Sequence, residues 1–321
     1  MLKYIIYFII LTSIGMLYDK YKKKYLPSDT DKNDKMIKEF LLNDSLLSNN
    51  KPIMWIHTSY NINSRQWPSF YSRNTKNLNE PYIQACVESL VKHCGNSFHI
   101  CLIDNNSFSK LLPDWSIDIN RLANPLKAHM ERLGLARLLC NYGGFIVPNS
   151  VIALKDLSDV FNDALSKTDA FVVEGINRTK TNDISLFIPN SKIMGCVKNS
   201  KNMQNYLKYL ETLVSTDFTE AMDFEGTINK WLYKETKEGR ITLLNGKLFG
   251  IRNKEECPVS VEQLLQNSFV KFNSEMVGLY LPNDEILLRT KYGWFSRMSK
   301  KQVMESNTIA GKYMLISHGS K

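Results

Sequence analysis

The sequence predicts an α/β domain, a mostly parallel sheet flanked by helices, preceded by an N-terminal membrane helix. Three observations predict it. From residue 51 onward, short apolar runs alternate with stretches of helical periodicity. Residues 4–18 form a near-continuous apolar run at the chain start. Between the two lies a polar segment with no sustained periodicity.

The apolar run reads YIIYFIILTSIGMLY. It is about as short as a spanning helix can be, since roughly 17–25 residues are usual, and Lys3 can snorkel to extend it. A signal-anchor helix over residues 1–18 is the favoured reading. It competes with a cleaved signal peptide, for which Ser13 and Gly15 supply small residues, and with a buried core helix. Lys20, Lys22, Lys23 and Lys24 follow the run and only Lys3 precedes it, so the positive-inside rule places the rest of the chain on the cytoplasmic side. Residues 19–50 read as a polar stalk with one short helix around Met36–Leu42, and residues 51–321 as the α/β domain.

Within that domain, Ile53-Met54-Trp55-Ile56 predicts a buried strand. Ile83, Cys86, Val87, Leu90 and Val91 share one face of a helix over 81–94. Phe98 to Ile103 predicts the next strand, giving a strand-helix-strand unit and hence a right-handed parallel crossover. Leu135, Leu138, Leu139 and Tyr142 mark a helix stopped by Gly143-Gly144. Phe145-Ile146-Val147 starts a strand broken by Pro148-Asn149-Ser150, and Val151 to Leu154 resumes the apolar run. Ala170 to Val173 and Leu186 to Ile188 predict two more strands. Met203, Tyr206, Leu207, Leu210, Leu213 and Val214 predict a long helix, with Thr227 to Tyr233 also helical. Beyond Ile241 the pattern weakens into short strands and loops, Tyr313 to Ile316 being one candidate strand.

Composition narrows the function classes. Apolar residues make up 43% of 321, enough for a core and too many for wholesale disorder. The net charge is +9, but the lysines are spread along the chain, and no zinc-finger spacing or RNA-binding signature accompanies them. Nucleic acid is therefore not an expected partner. The six cysteines show no CxxC pair, and buried free thiols suit them better than a zinc site or disulfides. Dinucleotide, P-loop, zincin and serine-hydrolase motifs are all missing.

The stretch from Glu131 to Leu154, ERLGLARLLCNYGGFIVPNSVIAL, resembles the helix-Tyr-Gly-Gly-strand block of DXD-type sugar transferases, the capsular-polysaccharide-synthesis and glycosyltransferase family 32 type. PIMWIHTSY and FHICLIDNN are similar to that family's first two strands, so the resemblance covers about Pro52 to Leu154. It implies a GT-A-like, Rossmann-like fold. It also implies a nucleotide-sugar donor, a glycan or protein acceptor, and a manganese or magnesium ion held by alternate aspartates that neutralises the departing diphosphate. Aligned on Tyr142-Gly143-Gly144, those aspartates fall on Pro148 and Ser150, the family's upstream Asp on Arg132 and its helical Arg on Leu135.

Ligands of such sheets bind beyond the C-terminal strand ends. That rule selects His57, Thr58, Asp104, Asn105, Pro148 to Ser150, and Glu174. Asp104 and Glu174 are the candidate catalytic carboxylates. His57, Thr58, Arg132, Asn149 and Ser150 are the candidate donor-binding residues. A shifted metal site would draw on Asp104, Glu174, Asp223, Glu225 or His318. Against these stand plain readings: Asp104 closing a turn, Asp223 and Glu225 charging a helix start, His318 as a terminal histidine. Three functions stay open: a transferase working without the metal, a catalytically inactive glycan-binding relative, and a membrane-anchored structural protein whose basic stalk meets acidic headgroups.

Overall fold

A computed structural model of the protein describes residues 51–58, 80–178, 185–216 and 221–319. The expected membrane helix, the stalk and the short helix around Met36–Leu42 lie outside the described residues. Among the described residues no helix is long and apolar enough to cross a membrane.

The chain runs β1 (Ile53–His57), α1 (Pro81–Cys94), β2 (His99–Ile103), α2 (Ser107–Leu111), α3 (Leu126–Tyr142), β3 (Gly144–Ile146), β4 (Val151–Ala153), α4 (Ser158–Leu165), β5 (Ala170–Ile176) and β6 (Phe187–Cys196). It continues through α5 (Lys201–Thr216), α6 (Ala221–Lys237), β7 (Thr242–Leu244), α7 (Val261–Leu264), β8 (Gly278–Tyr280), α8 (Asn283–Leu288), α9 (Gly293–Ser296), α10 (Lys300–Glu305) and α11 (Ile309–Gly319). A six-stranded sheet has the order β2-β1-β3-β6-β5-β7. β1 is parallel to β2 and β3, and β5 to β7; β6 alone runs antiparallel to its neighbours β3 and β5. In this sheet every strand but β6 therefore points its C-terminal end the same way, as the strand-helix alternation predicts, while β4 and β8 form a separate antiparallel pair.

Helices cover both faces. On one face α3, α5 and α6 bury Leu138, Leu139, Met203, Leu210 and Ile228 against Trp55, Ile146 and Val172. On the other, Phe98, Phe145, Phe161 and Phe171 stack at centroid distances of 5.2 to 6.2 Å. Burying each ring contributes roughly 1.5–3 kcal/mol by area alone.

The Tyr-Gly-Gly block works as its residue types require. α3 ends at Tyr142, and Gly143 and Gly144 take φ of 69° and 104°. A Cβ on Gly144 would strike the carbonyl oxygen of Ile53 in β1, and one on Gly143 the backbone of Lys198. Only glycine lets the helix end feed β3 directly into the sheet beside β1. Trp55 Nε1 donates to the Gly143 carbonyl at 2.9 Å, fixing the turn from the sheet side.

Two expectations are corrected. The strand expected at Leu186 to Ile188 is the 10-residue β6. Pro189 and Asn190 punctuate like a turn in sequence, yet they pair with Glu174 and Val173 of β5, and the register shift between Val172 and Val173 leaves Ser191 to Ile193 in a bulge. The strand expected at Tyr313 to Ile316 lies in helix α11. Tertiary contacts decide that element: α11 packs on α1, and Lys92 Nζ donates to the carbonyls of Ser317 and His318 at 2.9 Å, supplying charge where the helix dipole is negative. The cysteines are free; Cys86, Cys94 and Cys196 are buried, but Cys257 is exposed.

Candidate functional site

Two groups of polar side chains gather at the C-terminal strand ends. The first stands at β1 and β2. His57 closes β1, stacks on Phe108 with centroids 5.6 Å apart, and donates from Nε2 to Asn105 Oδ1 at 2.8 Å. Asn105 Nδ2 donates to Glu131 Oε1 at 2.9 Å. A carboxylate only accepts, so Glu131 orients the Asn105 amide, and the amide in turn demands a proton on His57 Nε2. Burial lowers the His57 pKa from its ordinary value, opposed by the Glu131 charge and the Asn105 bond. The ring is kept neutral and oriented.

The loop after β3 joins this group. Asn149 Nδ2 donates to Thr58 Oγ1 at 3.4 Å, and Thr58 is buried. Ser150 is also buried, and its hydroxyl donates to the Leu281 carbonyl at 2.7 Å. Leu281 N returns a bond to Ser150 O at 3.1 Å, so this loop is stitched to the segment after β8, whose strand pairs antiparallel with β4. His57, Thr58, Asn105 and Asn149 thus share one rim, as the strand-end rule predicts. Asp104 lies beside them, but Asp104 Oδ1 accepts from Ser107 N at 2.9 Å and Ser107 Oγ at 2.7 Å. Its carboxylate ties β2 to the start of α2.

The second group lines a cavity of about 520 Å³ between the end of β5, the middle of β6, one face of α6, and the segment from β8 through α8. Five carboxylates (Glu174, Asp223, Glu225, Asp284 and Glu285) face three cations (Arg178, Lys192 and Arg289). Lys192 sits 3.0 Å from Asp284 and 3.7 Å from Glu225. Arg178 reaches Glu285 at 2.5 Å and Arg289 reaches it at 3.1 Å. From behind the lining, Arg132 pairs with Glu225 at 2.8 Å, and Arg252 with Glu174 at 2.5 Å. Burial alone would pull Lys192 down, but Tyr280, Glu225 and Asp284 hold its ammonium above the ordinary lysine value. Burial pushes Tyr280 up to about 12. Burial also works against the Asp284 charge, yet Lys192 outweighs it and the carboxyl ends below its usual range. Lys192 and Asp284 are therefore charged across the neutral range.

Glu174 lines this cavity, and Arg132 borders it through Glu225. Arg132 also donates to the Ser191 carbonyl at 3.3 Å, while Leu135, at the family's arginine position, is buried in the core. Glu174 accepts from Gly246 N at 2.9 Å besides its ion pair with Arg252, whose guanidinium lies 4.0 Å over Phe187. His318 is elsewhere. Its Nδ1 faces the Met314 carbonyl at 3.0 Å, and its Nε2 lies 3.4 Å from Glu88 Oε2, which also meets Lys300.

A divalent cation does not fit the motif positions. Pro148 offers no side-chain donor, and the Ser150 hydroxyl is already given to Leu281. Among the described residues no three His, Cys, Asp or Glu side chains are grouped to hold a metal. The shifted set of Asp104, Glu174, Asp223, Glu225 and His318 is divided between the rim, the cavity and α11.

Lys192, Asn229, Tyr280, Asp284 and Glu285 are the site residues that strand-end reasoning missed. One signal was available: Asp223, Gly226 and Asn229 recur every third residue and so share a helix face that is not apolar.

No protein-family profile matches the sequence, and no curated protein matches it either. Several solved structures overlap part of it. The glycosyltransferase GlyE of Streptococcus pneumoniae TIGR4 shares 13% identity over 62% of this chain and 46% of its own, with a TM-score of 0.36. The chain thus spans less than half of that structure. Mouse xyloside xylosyltransferase 1 shares 7% identity over 62% of this chain and 86% of its own, TM-score 0.37. The galactosyltransferase LgtC, solved with donor and acceptor sugar analogs, shares 12% over 61% and 74%, TM-score 0.32. TM-scores this low establish neither a family nor an activity for the chain.

Proposed function

We propose that the chain is a sugar-transferase-like protein of the DXD-type, GT-A class its central block resembles. It takes a nucleotide sugar at the C-terminal strand ends and passes the sugar to a glycan or protein acceptor without a carboxylate-bound cation. One observation carries the reading. The loop that follows Tyr142-Gly143-Gly144-β3 meets Thr58 at the end of β1 and is stitched to Leu281, and the segment beyond Leu281 lines the cavity. The motif, the strand ends and the hollow thus occupy one edge of the sheet, where ligands of parallel sheets bind.

A second reading has its own support. Asp104 is bonded to Ser107, and Glu174 to Arg252 and Gly246, so both candidate carboxylates already have structural partners. This favours a protein that binds saccharide without turning it over.

Thermal unfolding with a panel of UDP- and GDP-sugars, with and without manganese, tests both. A donor at about 100 times its Kd should add about 2.7 kcal/mol. Stabilisation independent of manganese, with sugar released from the donor, supports the transferase. Stabilisation without release supports the binding protein. No response to any donor sinks both. The proposal keeps residues 1–18 as a signal anchor with residues 51–321 on the cytoplasmic side; alkaline extraction of membranes followed by protease protection checks each half.

A further inference from the structure

Resting on the sugar-transferase reading above, we infer that the cavity beside α6 is an acceptor pocket selective for a saccharide carrying a free, protonated amine. Asn229 lines the cavity and is only 6% exposed, and its Oδ1 has no hydrogen-bond partner among the described residues. An orphaned buried carbonyl costs on the order of 1–3 kcal/mol until something donates to it. One helical turn and a half earlier, Asp223 lines the same cavity and has no ion pair among the described residues.

The cations of the lining are already committed. Lys192 is held by Asp284 and Glu225, and Arg178 and Arg289 both by Glu285. An anionic sugar or a diphosphate would have to break those pairs, in which Lys192, Glu225 and Glu285 are part-buried. A donor-bearing ligand breaks nothing: it meets the Asp223 carboxylate, which has no ion pair among the described residues, beside the unpaired carbonyl of Asn229. Ile193, Tyr280 and the 83%-exposed Leu288 supply an apolar wall for the ring. The volume, about 520 Å³, suits one or two rings. The cavity's surplus is in acceptors, which selects for donors, and an ammonium is the donor that also carries the complementary charge.

The test is titration of the full chain by calorimetry with three β-1,4-linked disaccharides, one of glucosamine, one of N-acetylglucosamine, and one with a terminal uronic acid. The glucosamine disaccharide should bind about fivefold or more tighter than its N-acetylated counterpart, as an ion pair at a partly exposed carboxylate allows. The uronate should bind weakest. Asp223→Asn, at an exposed position where misfolding is not expected, should erase the amine preference. Raising pH until the amine is neutral should erase it in the wild type. Equal affinity for all three sugars, preference for the uronate, preference unaltered by Asp223→Asn, or no saccharide binding at all would each overturn the inference. Donor-induced stabilisation, measured in the same preparation, separates the two proposals. If donors stabilise the chain and the amine preference is missing, the pocket assignment fails alone.

Discussion

The rim at β1 and β2 and the cavity at β5, β6 and α6 lie on the same edge of the sheet but are built differently. The rim is a chain of mostly neutral hydrogen bonds ending on Glu131, in which His57, Asn105, Asn149 and Thr58 satisfy one another. The cavity is a set of charge pairs around a hollow, with Asn229 and Asp223 left over. Satisfied polar groups orient a backbone; an unsatisfied buried one costs stability until something bonds to it. The polar residues nearest the Tyr-Gly-Gly motif are thus bonded to one another, and the unpaired polar groups lie farther along the edge, in the cavity lining.

The largest expected effect comes from the glycine turn that serves both regions. Gly144→Ala puts a Cβ against the Ile53 carbonyl at a positive φ. It should cost more than about 3 kcal/mol, read as loss of the cooperative melt or of soluble protein. A near-wild-type melting temperature would show that the rim does not depend on this junction. Next, Glu225→Ala removes the partner that Arg132 and Lys192 share. The pairs are part-buried, so the loss should be about 1–3 kcal/mol in denaturant melts, with saccharide binding weakened and donor binding at the rim retained. Equal loss of both would join the two regions into one site.

Asp104→Ala should cost about 1 kcal/mol through the turn into α2 and leave donor-induced stabilisation intact. If donor binding persists while turnover disappears, Asp104 is a reacting group after all and the rim is more than scaffold. The smallest effect is the pH response of His57. Its folded-state pKa is lowered, so the unfolded chain takes up the proton first. The stability it contributes is complete above about 6.5, the ordinary histidine value, and is lost as pH falls through the folded-state value. Melts from about pH 7.5 down to about 5.5 should show a decline of under about 1 kcal/mol that His57→Gln removes. An unchanged decline in the variant would assign it to other groups.

Much of the scaffold was legible in the sequence. Apolar runs after Pro52, at His99–Ile103 and at Ala170 gave strands, and the helix up to Tyr142 with its glycine stop gave the α3–β3 junction. These features report local rules, side-chain periodicity and glycine's access to positive φ, which hold wherever the segment sits. The strand-end rule also collected the rim residues, because parallel strands must deliver their C-terminal ends to one edge.

The rest depended on partners distant in sequence. Pro189-Asn190 looks like a turn until β5 pairs with it, and Tyr313 to Ile316 looks like a strand until α1 and Lys92 hold it as helix. Glu225 looks like a helix-start charge until Arg132, 93 residues away, binds it. By itself the sequence determined an α/β chain with a tight glycine junction at the sheet's centre. Tertiary structure alone decided which polar side chains satisfy one another and which face an unfilled hollow, because a hydrogen bond or ion pair is set by proximity in space and leaves no periodic trace along the chain.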